Sequence, residues 1–128
     1  MPLNMTMNIL IVDDDKTTLR IIDGYLKKLG FKNVVQANDG SDALRFLHDG
    51  PFGLVISDWN MPTMTGLELL KQVRADAKLK ALPFIIITTE GKPENVASAK
   101  EAGVNNYIVK PFNEETLKQK LIAVIGSF

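Results

Sequence analysis

The sequence predicts one doubly wound α/β domain, in which helices cover both faces of a five-stranded parallel sheet. Five short apolar runs alternate with five stretches of helical length, and each run is nearly continuous in apolar residues. Strands with this pattern belong to parallel sheets buried on both faces, and the crossovers between them are right-handed. A length of 128 residues suits a single core. We predict a tail over residues 1–7 and one domain over residues 8–128.

The first elements follow from apolar spacing and from residues typical of helix ends. Residues 8–12 form the first strand, and the apolar residues of the next stretch recur every three or four positions, as on one face of a helix. Asp15 is a candidate N-cap of this helix and Gly30 a candidate C-terminal glycine. Residues 34–37 predict a weaker second strand, and residues 41–48 predict the second helix.

The middle of the chain predicts a buried strand and a capped helix. The apolar run over residues 54–56 leads to Asp58. Thr65 and Glu68 have the spacing of a capping box, which predicts the start of the third helix. The apolar residues that we expect this helix to bury are Leu67, Leu70 and Val73.

The last third of the chain continues the alternation. Residues 83–87 are the most apolar run, which predicts a strand inside the sheet. Pro93 is suited to the first turn of the fourth helix, and residues 106–109 predict the fifth strand. Asn113 is a candidate cap of a last helix, which ends close to the end of the sequence. We therefore expect no covalently attached DNA-binding domain.

Composition narrows the possible functions. Fifteen basic and fifteen acidic residues cancel, which favours neither a nucleic-acid nor a membrane partner. The chain has no cysteine and only one histidine, His48, which excludes disulfides, thiolate sites and histidine-rich metal sites. No apolar run approaches the roughly 20 residues that span a bilayer, and residues 1–7 lack the positive and apolar regions of a signal peptide. We expect a cytoplasmic protein.

Residues with carboxylate, hydroxyl or ammonium groups follow four of the five apolar runs. Asp13 and Asp14 follow the first, Asp58 the third, Thr88 the fourth and Lys110 the fifth. The carboxyl ends of parallel strands form one edge of the sheet, where doubly wound domains bind ligands. We therefore expect three carboxylates, a hydroxyl and an ammonium group to lie together there.

Such a carboxylate cluster requires positive charge. Two like charges about 5 Å apart repel by roughly 3 kcal/mol at an effective dielectric constant of 20. Mg²⁺ prefers oxygen ligands and, with Lys110, would remove this repulsion. A carboxylate beside such an ion can act as a nucleophile towards phosphorus. The cluster therefore predicts metal-assisted phosphoryl transfer to an aspartate.

This set of residues, with the strings Ser57–Pro62 and Tyr107–Phe112, resembles the receiver domains of two-component response regulators, in particular the stand-alone chemotaxis regulators. The resemblance extends from about Met7 to Ile125. It implies a flavodoxin-like sheet with the strand order 2-1-3-4-5.

The resemblance also implies the role of each site residue. Asp58 would accept the phosphoryl group from a phosphohistidine of a sensor kinase. Asp13 and Asp14 would hold Mg²⁺, with Asp58 and the backbone carbonyl of Asn60 as further ligands. Lys110 would pair with Asp58 and then with the phosphoryl group, and the Lys110–Pro111 peptide bond would be cis.

Two further residues would form a switch, according to the same resemblance. Thr88 would move to donate a hydrogen bond to a phosphoryl oxygen, and Tyr107 would turn inward as Thr88 moves. The chain would then be a signalling switch and not an enzyme with a separate substrate, although it would catalyse its own phosphorylation and dephosphorylation.

The implied partners are a histidine kinase like CheA, a flagellar motor switch protein or another protein target, and a phosphatase. The protein itself would be a monomer. The predicted partner-binding face consists of residues from the fourth helix to the fifth: Lys92, Val96, Tyr107, Val109, Phe112 and Lys120.

Three alternatives stay open at this point. A phosphorelay shuttle would pass the phosphoryl group on to another histidine protein. A receiver that only binds proteins would lack one site residue, and none is missing. Residues 13–17 also fit the D-x-D-x-T motif of haloacid-dehalogenase-type phosphatases, with Asp13 as nucleophile and Asp15 as general acid/base. That family's last acidic pair is absent after Lys110, and Asp58 would have no role.

Overall fold

A computed structural model describes residues 6–61, 63–89 and 92–126, and this part of the chain contains the predicted alternation of five strands and five helices. The elements in chain order are β1 (Asn8–Val12), α1 (Lys16–Lys28), β2 (Asn33–Ala37), α2 (Gly40–Asp49), β3 (Leu54–Asp58), α3 (Gly66–Ala75), β4 (Phe84–Thr88), α4 (Pro93–Glu101), β5 (Asn106–Val109) and α5 (Glu114–Ile125).

The strands form one parallel sheet in the order β2-β1-β3-β4-β5. This confirms the predicted fold class and the strand order that the resemblance implies. β3 is the central strand, and all five of its residues are buried. β1 and β4 lie on either side of it, so the three strands that end in acidic or hydroxyl residues are neighbours.

Alternate residues of the inner strands point to opposite faces, and each face has its own core. Ile9 and Ile11 face α1 and α5, whereas Leu10 and Val12 face α2, α3 and α4. Two separate layers of helices therefore exclude water from the sheet, which explains why the strands are continuously apolar.

The helix ends that the sequence predicts are present. The Asp15 side chain accepts a hydrogen bond from Thr17 N at 3.0 Å, and Gly30, just beyond α1, has the positive φ of 108° that favours glycine. Thr65 and Glu68 exchange both hydrogen bonds of a capping box. Among the described residues, no helix is both long and apolar enough to cross a membrane.

One core prediction for α3 is wrong. Leu67 is only partly buried, while Leu69, which was not predicted to be buried, has no exposed surface, like Leu70 and Val73. Positions 66, 69, 70 and 73 follow the spacing of three and four residues that defines one helix face, and Leu67 lies at the edge of that stripe.

The predicted tail lies mostly outside the described residues. Its described part packs on the domain: Met7 contacts the core between α1 and α5, and the Thr6 carbonyl accepts a hydrogen bond from Asn33 Nδ2 at 2.7 Å. The boundary at residue 8 stays a prediction.

Candidate functional site

Strand register brings the predicted site residues together at one edge of the sheet. Val12 lies opposite Ser57 in the β1–β3 pair, so that Asp13 follows β1 at the level of Asp58. On the other side of β3, Asp58 lies opposite Ile87, one residue before Thr88. The backbone N–H of Lys110 donates to the Thr88 carbonyl at 2.7 Å, which holds Lys110 at the same edge.

Three carboxylates and one ammonium group form the centre of this edge. Carboxylate oxygens of Asp13, Asp14 and Asp58 lie within 4.8 Å of one another. Lys110 Nζ is 3.0 Å from Asp58 Oδ1 and 3.6 Å from Asp13 Oδ2. Asp13 and Asp58 are buried, whereas Asp14 is exposed and keeps the cluster open to solvent.

Burial has the largest effect on the pKa values of the two buried carboxylates, Asp13 and Asp58. It raises the pKa of Asp13 to about 6, against the lowering effect of a hydrogen bond from the Asp15 backbone. Burial likewise raises the pKa of Asp58, although the hydrogen bond and charge of Lys110 oppose it. For Lys110, burial is the largest single influence and disfavours the charged form, but the hydrogen bonds and negative charges of Asp58 and Asp13 together outweigh it, so the pKa is raised. One lysine therefore leaves the carboxylates incompletely compensated.

Several backbone and hydroxyl contacts around these aspartates were missed at the sequence level. Asp15 N donates to Asp13 Oδ1 at 2.9 Å, a local turn for which a run of three aspartates is a recognisable signal. The Asn60 backbone N–H bonds to the Asp58 carboxylate. The buried Ser57 hydroxyl donates to the Asp58 carbonyl at 3.0 Å.

The donor set fits a small divalent cation. All three clustered side chains offer hard oxygen atoms, and the exposed position of Asp14 leaves room for the water ligands that Mg²⁺ retains. A cation here would also supply the positive charge that Lys110 alone does not. In the part of the chain that the structure describes, this is the group of acidic side chains with metal-binding spacing.

Asp15 has a different position from its acidic neighbours. Its carboxylate is exposed and accepts hydrogen bonds from Thr17 N and Thr18 Oγ1, both at 3.0 Å. These contacts confirm it as the N-cap of α1. The general acid/base role that the phosphatase alternative assigns to Asp15 would require its release from this cap.

The two predicted switch residues lie on the neighbouring strands β4 and β5. Thr88 is 1% exposed and ends β4. Tyr107 of β5 is half-buried, and its ring lies edge-on to the Trp59 ring with 6.3 Å between centroids. Trp59 directly follows Asp58, so an aromatic contact connects the acidic cluster to β5.

The predicted partner-binding residues divide between the two sides of the sheet. Tyr107 packs on the α2–α4 side, Val96 is half-buried and Val109 is 45% exposed. Phe112 instead packs edge-on against Tyr25 of α1, with ring centroids 6.2 Å apart, on the α1–α5 side.

The two lysines predicted for this face lie at the start of α4 and in the middle of α5. Lys92 is the exposed N-cap of α4, and Lys120 is a half-buried residue of α5 whose carbonyl accepts a hydrogen bond from Asn106 Nδ2 at 3.3 Å. The Lys110–Pro111 peptide bond, between β5 and α5, is cis, as the resemblance implies.

Comparisons with known proteins agree with this geometry. Residues 9–122 match the family described as response regulator receiver domain. The chain is 54% identical over 119 residues to the chemotaxis protein CheY-3 of Vibrio cholerae, covering 93% of this chain and 92% of that protein. It superimposes on the structure of Vibrio cholerae CheY4 with a TM-score of 0.87 at 38% identity, over 93% of this chain and 98% of that one.

A further structural relative bears on the cation. The receiver domain of a Pseudomonas aeruginosa sensor histidine kinase, solved with a magnesium ion coordinated in its active-site cleft, matches with a TM-score of 0.85 at 27% identity. The match covers 95% of this chain and 99% of that one.

Proposed function

This chain belongs to the response regulator receiver family, and we propose that it is a single-domain chemotaxis regulator that accepts a phosphoryl group on Asp58. The observation that carries the proposal is the position of Asp58, which is buried at the end of the central strand with Lys110 Nζ at 3.0 Å and two further carboxylates beside it.

Mg²⁺ is the cofactor that the donor set fits: Asp13, Asp14 and Asp58 would hold it. The carbonyl of Asn60 would be the further ligand that the family resemblance implies. When bound, the ion would supply positive charge next to the oxygens of the transferring phosphoryl group. The magnesium ion in the kinase receiver domain described above supports this assignment for a structurally similar cleft.

The phosphoryl transfer requires mainly that the reacting groups are correctly placed and that the negative charge on the phosphoryl oxygens is stabilised. An Asp58 carboxylate oxygen attacks the phosphorus of a phosphohistidine on the kinase, the P–N bond breaks, and the imidazole nitrogen leaves with the electron pair. The product is an acyl phosphate on Asp58. Lys110, already 3.0 Å from Asp58, stabilises the negative charge that builds up on the phosphoryl oxygens. Attack by water on the acyl phosphate returns inorganic phosphate and the free carboxylate.

The output is a change at a protein-binding face that Lys92, Val96, Tyr107, Val109 and Lys120 form. A partly apolar surface with two lysines suits an amphipathic, acidic peptide. We assign a flagellar motor switch protein as the target, a CheA-like kinase as the donor and the cytoplasm as the compartment, because the chain is over half identical to a chemotaxis protein of its own size. Phe112 packs against Tyr25 but is only half-buried, and it stays a predicted member of this face.

Intact-mass analysis after incubation with MgCl₂ and a small acyl phosphate tests the acceptor. We expect a single phosphoryl adduct on the wild type and none on Asp58→Asn, because the amide has no nucleophilic carboxylate oxygen. Asp13→Asn should slow adduct formation by about 10- to 100-fold, in the range typical for loss of a group that supports a metal site.

The same experiment distinguishes the alternatives. An adduct that survives Asp58→Asn but disappears in Asp13→Asn would contradict the proposal and favour the phosphatase chemistry. Absence of any adduct on the wild type, together with no response of Trp59 fluorescence to Mg²⁺, would favour a receiver that only binds proteins. Transfer of the phosphoryl group from Asp58 to a second histidine protein would identify a relay shuttle.

A further inference from the structure

The first residue of α3 lies directly against the backbone of the proposed phosphoacceptor. Gly66 is buried, and its N–H donates to the Trp59 carbonyl at 2.9 Å. A Cβ built on Gly66 would lie 3.0 Å from the Asp58 carbonyl carbon and 3.1 Å from Trp59 Cα, and it would overlap the Asp58 carbonyl oxygen. The helix therefore rests on the Asp58–Trp59 peptide with no room for a methyl group.

Backbone conformation does not explain a glycine at this position. Among the described residues, the glycines with positive φ are Gly30, Gly103 and Gly126, and Gly66 is not one of them. An alanine could adopt the helical conformation of Gly66, so the obstacle is purely spatial. The atoms that its methyl group would meet belong to the backbone and cannot rotate away as a flexible side chain could.

Both sides of this contact are firmly held. On the strand side, the Trp59 N–H extends the β3–β4 ladder with a 2.9 Å bond, and the Ser57 hydroxyl donates to the Asp58 carbonyl. On the helix side, the capping box of Thr65 and Glu68 fixes the first turn. The next turns of α3 are anchored by residues with no exposed surface, Leu69, Leu70 and Val73.

We propose that Gly66 is a positioning residue for the backbone of residues 58–60, which carries two of the proposed Mg²⁺ ligands, an inference that rests on the function proposed above. Its contact sets the path of the chain as it leaves β3, and hence the position of Asn60. The Asn60 N–H bonds to the Asp58 carboxylate, and its carbonyl is a proposed Mg²⁺ ligand. A methyl group at position 66 displaces this backbone, at the end of β3, relative to Asp13 and Asp14, which follow β1.

The test is a titration of Gly66→Ala with MgCl₂, followed by the fluorescence of Trp59, the chain's only tryptophan. We expect the Kd for Mg²⁺ to rise by about tenfold or more, as when other groups that orient metal ligands are lost. Formation of the adduct from a small acyl phosphate should slow in proportion at Mg²⁺ concentrations below that Kd.

Two control variants distinguish a displacement of the backbone at the site from a general loss of protein stability. Gly24→Ala places a methyl group in α1 where no atom lies within 4 Å of it, and it should leave the Mg²⁺ affinity unchanged. Leu26→Ala removes a fully buried side chain on the other face of the sheet and lowers the stability, but it should also leave the affinity unchanged.

A folded Gly66→Ala protein with the wild-type Mg²⁺ affinity and phosphorylation rate would overturn the inference while leaving the proposed function intact. If Gly66→Ala does not fold, Thr65→Ala decides, because loss of the cap loosens the same first turn. A several-fold weaker Mg²⁺ affinity of Thr65→Ala supports the inference, and an unchanged affinity overturns it. A wild type that neither responds to Mg²⁺ nor forms an adduct overturns both proposals.

Discussion

Asp13 is a buried carboxylate whose neighbours do not fully neutralise it. Its side chain is 3% exposed, and Lys110 Nζ, at 3.6 Å from Asp13 Oδ2, is closer to Asp58. Burial raises the pKa of Asp13 to about 6. Without a cation, the charged form of this residue therefore destabilises the fold, at a position that we propose as a Mg²⁺ ligand.

We predict that Asp13→Asn stabilises the protein in the absence of Mg²⁺. The amide oxygen can still accept the Asp15 N–H, so the change removes charge and little else. Because the native pKa of Asp13 lies above its ordinary value of 3.8, the stability linked to its protonation is present below about pH 4 and is lost as the pH rises through about 6. The variant should therefore exceed the wild type by about 1–3 kcal/mol above pH 7 and by much less near pH 4.

Denaturant unfolding at both pH values, with a chelator present, measures this difference. Asp15→Asn is the matched control, because the pKa of Asp15 is lowered by its bonds to Thr17 and Thr18 and its charge brings no such penalty. Added Mg²⁺ should stabilise the wild type and not Asp13→Asn. An Asp13→Asn protein that is less stable than the wild type above pH 7 without Mg²⁺ would contradict the burial argument.

For single residues, the sequence predicted which side chains meet at the site better than it predicted the contacts of backbone groups. Asp13, Asp58 and Lys110 were predictable because each lies at or just after the end of an apolar run, and the strand order then brings these ends together. The Asn60 N–H, the Ser57 hydroxyl and the space at Gly66 were not, because a backbone bond or a close approach depends on the path of a loop. Residue type alone carries no information about that path.

Arg74, near the end of α3, joins three elements through hydrogen bonds to oxygen atoms. Its Nε and Nη2 donate to the Gly103 carbonyl at 3.0 and 2.9 Å, and Nη1 donates to the Leu82 carbonyl at 2.7 Å. Nη2 also reaches Asn105 Oδ1 at 2.9 Å, which in turn accepts the Phe84 N–H at 2.8 Å. The guanidinium thus fastens the C-terminal end of α4 to α3 and to the start of β4.

We predict that Arg74→Met lowers the free energy of unfolding by about 1–3 kcal/mol, since it removes several charged donors from partly buried oxygen atoms. The backbone amides from Ala102 to Asn105 should exchange their hydrogens faster than in the wild type. Arg45→Met is the matched control. Arg45 is also a helical arginine, but its side chain is 65% exposed, and it contacts Asp42 and the Phe46 ring in its own helix, so a change within about 0.5 kcal/mol is expected.

Equal hydrogen-exchange rates of these backbone amides in Arg74→Met and Arg45→Met would mean that Arg74 does not hold the end of α4 in place. The sequence did not predict these hydrogen bonds of Arg74, whereas it did predict the helix caps. Caps use residues two or three positions apart, but Arg74 and Gly103 are 29 positions apart and meet only in the finished fold. The error over Leu67 has the same origin, because the edge of a helix face depends on what packs there.

At the scale of the whole molecule, the proposed switch has two connections from Asp58 to β5. One passes through Thr88, the buried end of β4, whose carbonyl accepts the Lys110 N–H at 2.7 Å. The other is the edge contact between Trp59 and Tyr107. A phosphoryl group on Asp58 adds about 1.5 to 2 negative charges and three acceptor oxygens beside both connections.

Energetics indicate that no single contact completes the switch. A change from 1% to 99% of one conformation requires about 5.5 kcal/mol of differential stabilisation. A hydrogen bond to a charged group contributes about 1.5–3 kcal/mol. The Thr88 hydroxyl can therefore supply a large share of the shift, and Lys110 and a bound partner must supply the remainder.

We accordingly predict that Thr88→Ala separates phosphorylation from its conformational effect. Asp58 and Lys110 remain, so the phosphoryl adduct should form within a few-fold of the wild-type rate. Loss of a bond of about 1.5–3 kcal/mol should lower the population ratio of the active conformation by about tenfold or more. Hydrogen exchange of β5 and α4, measured with and without an acyl phosphate on samples of equal adduct fraction, should change in the wild type and much less in Thr88→Ala.

Thr89→Ala is the control for this experiment, because it removes the same hydroxyl from the next residue, which is exposed, and it should respond like the wild type. A phosphorylated Thr88→Ala protein with the full wild-type response would assign the coupling to the Trp59–Tyr107 contact. Because Tyr107 and Val109 point to the same side of β5, that route would reach the partner-binding face without Thr88. Tyr107→Leu would then remove the response that Thr88→Ala retains.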